Sequence, residues 1–143
     1  MPVPGSALYE LGFHFVKHRL LFLTHRFAQH IGIAGAGLLG RLLAWRLAGL
    51  GHAYAKSGMR GEAQKILRQL LEHSRQHYVS PYSIALIYVG LGEKEQAFTW
   101  LQKAVEARST RLVRLQVDPR FNTLRADPRF RNLVQQIGLL PGK

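Results

Sequence analysis

The sequence predicts an all-α fold: two helical hairpins in tandem, a C-terminal capping segment of short helices, and an apolar, basic N-terminal extension. Three observations carry that expectation. The chain resembles itself at an offset of 34 residues, a glycine falls at the turn of each copy, and the motif Asp-Pro-Arg-Phe is written twice near the end. At the offset, Gly51 falls on Ala85, Tyr54 on Tyr88, Gly58 on Gly92, Ala63 on Ala97, Leu67 on Leu101 and Leu70 on Ala104. A fixed period of this size marks units that cannot bury their apolar faces alone and share a core by stacking.

Each copy reads as helix, turn, helix. In the first, Ala44–Ser57 is helical, Gly58 supplies a left-handed turn, and Arg60–Ser74 is the second helix. Ala63, Ile66, Leu67, Leu70 and Leu71 fall on one face of that helix. The second copy runs Pro81–Leu91, Gly92, then Lys94–Arg108, with Ala97, Phe98, Leu101, Ala104 and Val105 as the apolar face. Ser80 stands at an N-cap position, with proline at the first helical residue. The small residues Gly51, Ala63, Ala85 and Ala97 are expected where helices cross closely. After the repeats, Asp118 and Asp127 each precede a proline and are expected to cap short helices. Phe121 and Leu124, then Phe130, Leu133, Val134 and Ile137, point inward; Gly138 and Pro141 end the last helix. The expected organisation is an extension over 1–43, repeats over 44–77 and 78–108, and a cap over 109–143.

The segments GLGHAYAKSGMRGEAQKIL and PYSIALIYVGLGEKEQAFTWL resemble the tetratricopeptide repeat. The second, followed by VDPRFNTLRADPRF, looks like the C-terminal tail of large bacterial signalling proteins, in which such repeats follow a regulatory, kinase or cyclase domain. The resemblance implies a non-catalytic module for protein–protein interaction, part of a larger bacterial regulatory protein. It also implies that the first helix of each repeat lines a concave ligand face. On that analogy His52, Ala55, Lys56, Tyr82, Leu86 and Val89 face a protein or peptide partner. They do not match the Lys/Asn arrangement by which some members hold a terminal carboxylate. Tails of this type usually carry aromatic or apolar residues around 109–115, where this chain has Arg111 and Arg114.

Upstream the period fails, because Lys17, Leu20 and Thr24 stand where Gly51, Tyr54 and Gly58 have their counterparts. Residues 31–52 instead contain Gly35, Gly37 and Gly40 as G-x-G-x-x-G after an apolar run. This resembles the dinucleotide-binding turn of flavin-dependent oxidoreductases, where glycines let the backbone approach a pyrophosphate. An FAD- or NAD-binding fragment is therefore the alternative function. The rest of such a site is missing. A second strand ending in an acid is needed about 20 residues on, but the first acid after the motif is Glu62, already in a repeat helix. No cofactor is expected, and the segment is read as a glycine-rich apolar stretch that joins or packs on the repeat helices; a junction of two unrelated coding segments is a hypothesis that would explain why residues 45–52 fit both patterns.

Composition narrows the classes. There are 20 Lys and Arg against 8 Asp and Glu, a formal charge of +12, and no cysteine. Disulfides, thiolate metal sites and cysteine nucleophiles are excluded, and a reducing, cytoplasmic setting fits. The charge divides as +4 over 1–46, +2 over 47–107 and +6 over 108–143, so the ends are basic and the middle is ordinary. The longest stretches without Lys, Arg, Asp or Glu are Phe27–Gly40 and Gln76–Gly92. Both fall short of the roughly 18–20 apolar residues that cross a bilayer. Phe13, Val16, Leu20, Leu23 and Phe27 form a helical stripe flanked by His14, Lys17, His18, His25 and Arg26. Such a helix suits covering one end of the stack; peripheral membrane contact by 13–27 is the lesser reading.

Catalysis finds no support, since no Ser-His-Asp or paired-acid arrangement can be assembled. The pairs His14/His18 and His73/His77 have the spacing to share a metal but lack further ligands, so no metal is expected. Arg108, Arg111 and Arg114 recur every third residue as one basic row. Without a recognition helix or stacking aromatics no specific nucleic acid is expected, and an acidic partner is the alternative to a solvated face.

Overall fold

The computed structural model describes residues 38–139, and only these are discussed as structure. The Phe13–Phe27 stripe, Gly35, Gly37, the His14/His18 pair and Pro141 lie outside them. The chain divides into two units, Met1–Gly40 and Arg41–Lys143. The α-helices of the described residues are α1 (Leu38–Lys56), α2 (Arg60–His73), α3 (Pro81–Leu91), α4 (Lys94–Glu106) and α5 (Pro128–Gln136). Two 3-10 helices, Thr110–Arg114 and Pro119–Leu124, stand between α4 and α5. No strand occurs among the described residues. The all-α expectation holds, with two tetratricopeptide-like hairpins.

The turns are made where the sequence wrote glycine. Gly58, Gly92 and Gly138 have φ of 81°, 77° and 74°, a conformation in which a side chain would be strained. At the first turn the Met59 amide donates to the Tyr54 carbonyl, and at the second the Glu93 amide donates to the Tyr88 carbonyl. The two turns are thus built alike, and the two tyrosines that the period aligned supply the same acceptor.

Small residues set the approach of the helices. Ala63 and Ala97 are fully buried. A Cβ on Gly51 would lie 3.0 Å from Ile87 Cδ1 and 3.2 Å from Ile66 Cγ2, so α1 meets both α2 and α3 there. Gly90 is tighter still: its Cβ would lie 3.0 Å from Ala55 Cβ, from His52 Nδ1 and from the His52 carbonyl oxygen. Around these crossings Ile66, Leu70, Ile84, Ile87 and Leu101 fill the interior. One polar strut joins the repeats at the surface, where the Arg60 guanidinium donates to the Leu91 carbonyl at 2.9 Å and pairs with Glu93 at 3.1 Å.

The capping segment is tied on by its aspartates. Asp118 accepts from the Arg120 amide and Asp127 from the Arg129 amide, each at 3.0 Å, as the paired motif predicts. Ser80 departs from its expected role. It precedes α3 with extended backbone, but its hydroxyl caps nothing and meets the Ser109 hydroxyl at 3.0 Å. That contact ties the start of α3 to the end of the second hairpin. The last helix packs on α4, held there by Arg129, which reaches both Asp127 and Glu95 at 2.8 Å and covers the Phe98 ring.

Candidate functional site

The face that analogy assigns to a ligand begins on α1 and α3. Tyr82, Leu86 and Val89 lie four and three residues apart, which puts them on one side of α3. All three are buried, as is His52 on α1. The analogy places these side chains on a ligand face, and in the chain alone they are enclosed. The reason is in the capping segment, whose 3-10 helix Pro119–Leu124 packs on α3. Phe121 lies 5.1 Å from the Tyr82 ring, and the Tyr82 hydroxyl donates to Asp118 Oδ2 at 3.1 Å. The chain's own tail thus covers Tyr82, while the Leu86 carbonyl is taken by His52. Of the six residues named by analogy, Lys56 alone is exposed, and Ala55 is half-buried against Gly90.

The electrostatics of this seam are those of packing rather than of acid–base chemistry. Burial, then the charge and hydrogen bond of Asp118, push the Tyr82 hydroxyl well above its usual range. Burial opposes ionisation of Asp118, but hydrogen bonds from the Arg120 side chain and amide outweigh it and hold the carboxyl low. His52 Nδ1 donates to the Leu86 carbonyl at 2.9 Å, so the ring carries its proton there. Burial lowers its pKa against the opposing pull of that hydrogen bond. His52 and Leu86 are one period apart, so the bond links equivalent positions of the two repeats.

Trp45, on α1, is the residue that sequence reasoning passed over. Its ring stands 6.3 Å from Tyr82, and two guanidinium groups cover it, Arg111 at 4.1 Å and Arg120 at 4.9 Å. The signal was present as a lone tryptophan among leucines in an apolar run, but its cationic partners are more than 60 residues distant in sequence. Arg111 is therefore half-buried, while Leu112 and Leu115 enter the core beside it. The arginines that replace apolar residues in this stretch leave its packing intact.

The basic row does not lie along one helix. Arg108 follows α4 with φ of 49° and lines an open groove of about 410 Å³ with Val105, Leu112, Val113, Ile137 and Leu139. Arg111 turns to Trp45, with Arg114 one 3-10 turn later. Gly40 lies inside α1, which runs from Leu38 into the first repeat. Where a dinucleotide fold needs a second strand, the chain has the α1–α2 turn. His73 and His77 stack at 4.6 Å between ring centres, and no group of three or more potential metal ligands occurs among the described residues. No helix among them is long and apolar enough to cross a membrane.

Residues 47–77 and 82–111 match the tetratricopeptide repeat family model. No curated protein and no solved structure matches the chain. The matched segments are the two hairpins described above.

Proposed function

We propose that the chain is a non-catalytic protein-interaction module, a repeat-bearing tail of a larger bacterial regulatory protein that works in the cytoplasm. The observation that carries this reading is the pair of consecutive hairpins matching the tetratricopeptide repeat. The paired Asp-Pro-Arg-Phe motif supports the tail assignment. Because α3 is covered by residues 118–124, the partner reads the outer surface of the assembled module. Lys56, Arg108 and Arg114 stand there, and an excess of arginine favours a partner of negative charge.

Affinity capture with the full chain as bait, followed by calorimetry of the purified pair, tests the reading. A saturable complex with a protein supports it. FAD or NAD binding at micromolar affinity that Gly37→Val abolishes would replace it with the dinucleotide alternative.

A further inference from the structure

We propose that the face formed by Arg41, Tyr78, Arg111 and Arg114 docks an acidic peptide segment, a run of Asp and Glu side chains within a partner protein. This rests on the interaction-module reading and names the partner's chemistry.

Three guanidinium groups gather around two aromatic rings, with a fourth, that of Arg114, within electrostatic reach. Arg111 and Arg120 cover Trp45, and Arg41 lies 5.2 Å over the ring of Tyr78, a residue 51% exposed. Arg111 is also within electrostatic reach of Tyr78 and Arg114, which joins the two ring contacts into one patch. Only Arg120 is neutralised there, by Asp118 at 2.6 Å. Arg41, Arg111 and Arg114 have no carboxylate partner among the described residues. Elsewhere among these residues Arg60, Lys65, Arg75 and Arg129 have one, while Arg68, Arg108 and Arg131 stand without one but are not gathered on aromatic rings. The patch is thus a concentration of like charge that folding leaves uncompensated, and added carboxylates relieve it.

The geometry selects among anions. A guanidinium held over a ring by its face leaves N–H groups for a carboxylate, which it can bind through two parallel hydrogen bonds. The stack also fixes the fork before the ligand arrives, so less rotamer freedom is lost on binding. Single-stranded nucleic acid is bound by stacking bases on open aromatic faces. Here arginines already cover faces of Trp45 and Tyr78, so stacking is obstructed while carboxylate pairing is not. The cations come from two separate elements, the start of α1 and the Thr110–Arg114 helix. A single terminal carboxylate would satisfy one of them; a run of acidic side chains satisfies all three.

Fluorescence anisotropy of a labelled poly-glutamate peptide with the full-length chain tests the proposal. Arg41→Gln/Arg111→Gln/Arg114→Gln should weaken binding about tenfold or more. Lys65→Gln/Arg68→Gln/Arg131→Gln removes the same charge elsewhere and should change it by less than about twofold. Replacing the first three by Lys keeps the charge but loses the fork, and should still weaken binding about threefold. Arg41 and Arg114 are exposed, so the double Gln variant remains informative should loss of the Arg111–Trp45 stack disturb folding. It should cost about fivefold. Equal losses from the two Gln triples, no binding by the parent, or tighter binding of a single-stranded oligonucleotide of equal charge would each overturn the proposal. A captured protein partner whose affinity is unchanged by the first triple variant would also overturn it, while leaving the interaction-module reading standing.

Discussion

At the scale of single residues, two glycines in α-helices have opposite roles. Gly49 in α1 has nothing within 4 Å of where a Cβ would lie, so it contributes only backbone freedom to the unfolded chain. Gly49→Ala should raise stability by about 0.5–1 kcal/mol. Gly90→Ala has the same intrinsic gain, but its Cβ meets Ala55 Cβ and the His52 carbonyl, atoms that retreat only if α1 moves. Overpacking costs about 1–3 kcal/mol, so the net change is a loss. Urea unfolding of the two variants should move the midpoint in opposite directions. The repeat comparison found Gly51 because its partner Ala85 is also small. Gly90 was not legible, since its aligned position in the first copy is Lys56 and the need for glycine arises only from where α1 crosses.

His52 adds a pH dependence at the same scale. Its pKa is lowered from 6.5, by burial first, with Arg120 and Lys56 adding to the shift and the Leu86 hydrogen bond and Asp118 opposing it. Between the folded and unfolded pKa values the unfolded chain binds the extra proton, so stability rises with pH. Thermal stability should therefore fall as pH drops below about 6.5. His52→Gln should flatten part of that slope. His73, whose pKa burial and His77 also lower, accounts for a remainder. An unchanged slope would mean that the imidazole is not buried against α3.

Among the elements, the two Asp-Pro-Arg-Phe starts are alike in sequence and different in burden. Asp127 caps α5 and pairs with exposed Arg129. Asp118 caps its 3-10 helix and also receives the buried Tyr82 hydroxyl. Asp127→Ala should lower stability as a lost cap. Asp118→Ala should cost more, because an orphaned buried hydroxyl adds about 1–3 kcal/mol. Chemical denaturation of the two variants gives the order. In acid, Asp127 should show its own signature: hydrogen bonds from Arg129 hold its pKa at about 2 against an ordinary 3.8. A carboxyl depressed in the folded state stabilises above its unfolded pKa, so its contribution is lost as pH falls from 3.8 towards 2. Asp127→Asn should lack that loss. Cap positions were legible because an aspartate before proline leaves few other roles. Ser80 shows the limit: the position reads as a cap, but tertiary proximity to Ser109 takes the hydroxyl.

For the whole described unit, the period and the turn glycines made the hairpins legible, since both express local backbone and packing demands. What covers α3 was not legible. A two-hairpin stack leaves apolar helix faces that something must bury, and the sequence does not say whether a partner or the chain itself does so. Tyr82, packed against Phe121 and bonded to Asp118, is covered by the chain's own capping segment. The proposed interaction surface accordingly lies at the arginines over Trp45 and Tyr78. The most direct test is native-state amide hydrogen exchange on the chain alone. If residues 112–124 are an integral cover, their protected amides should open with the same free energy as those of α3, as one cooperative unit. Exchange of 118–124 at the rates of an unstructured peptide, with α3 still protected, would contradict the account and return the α3 face to an external ligand.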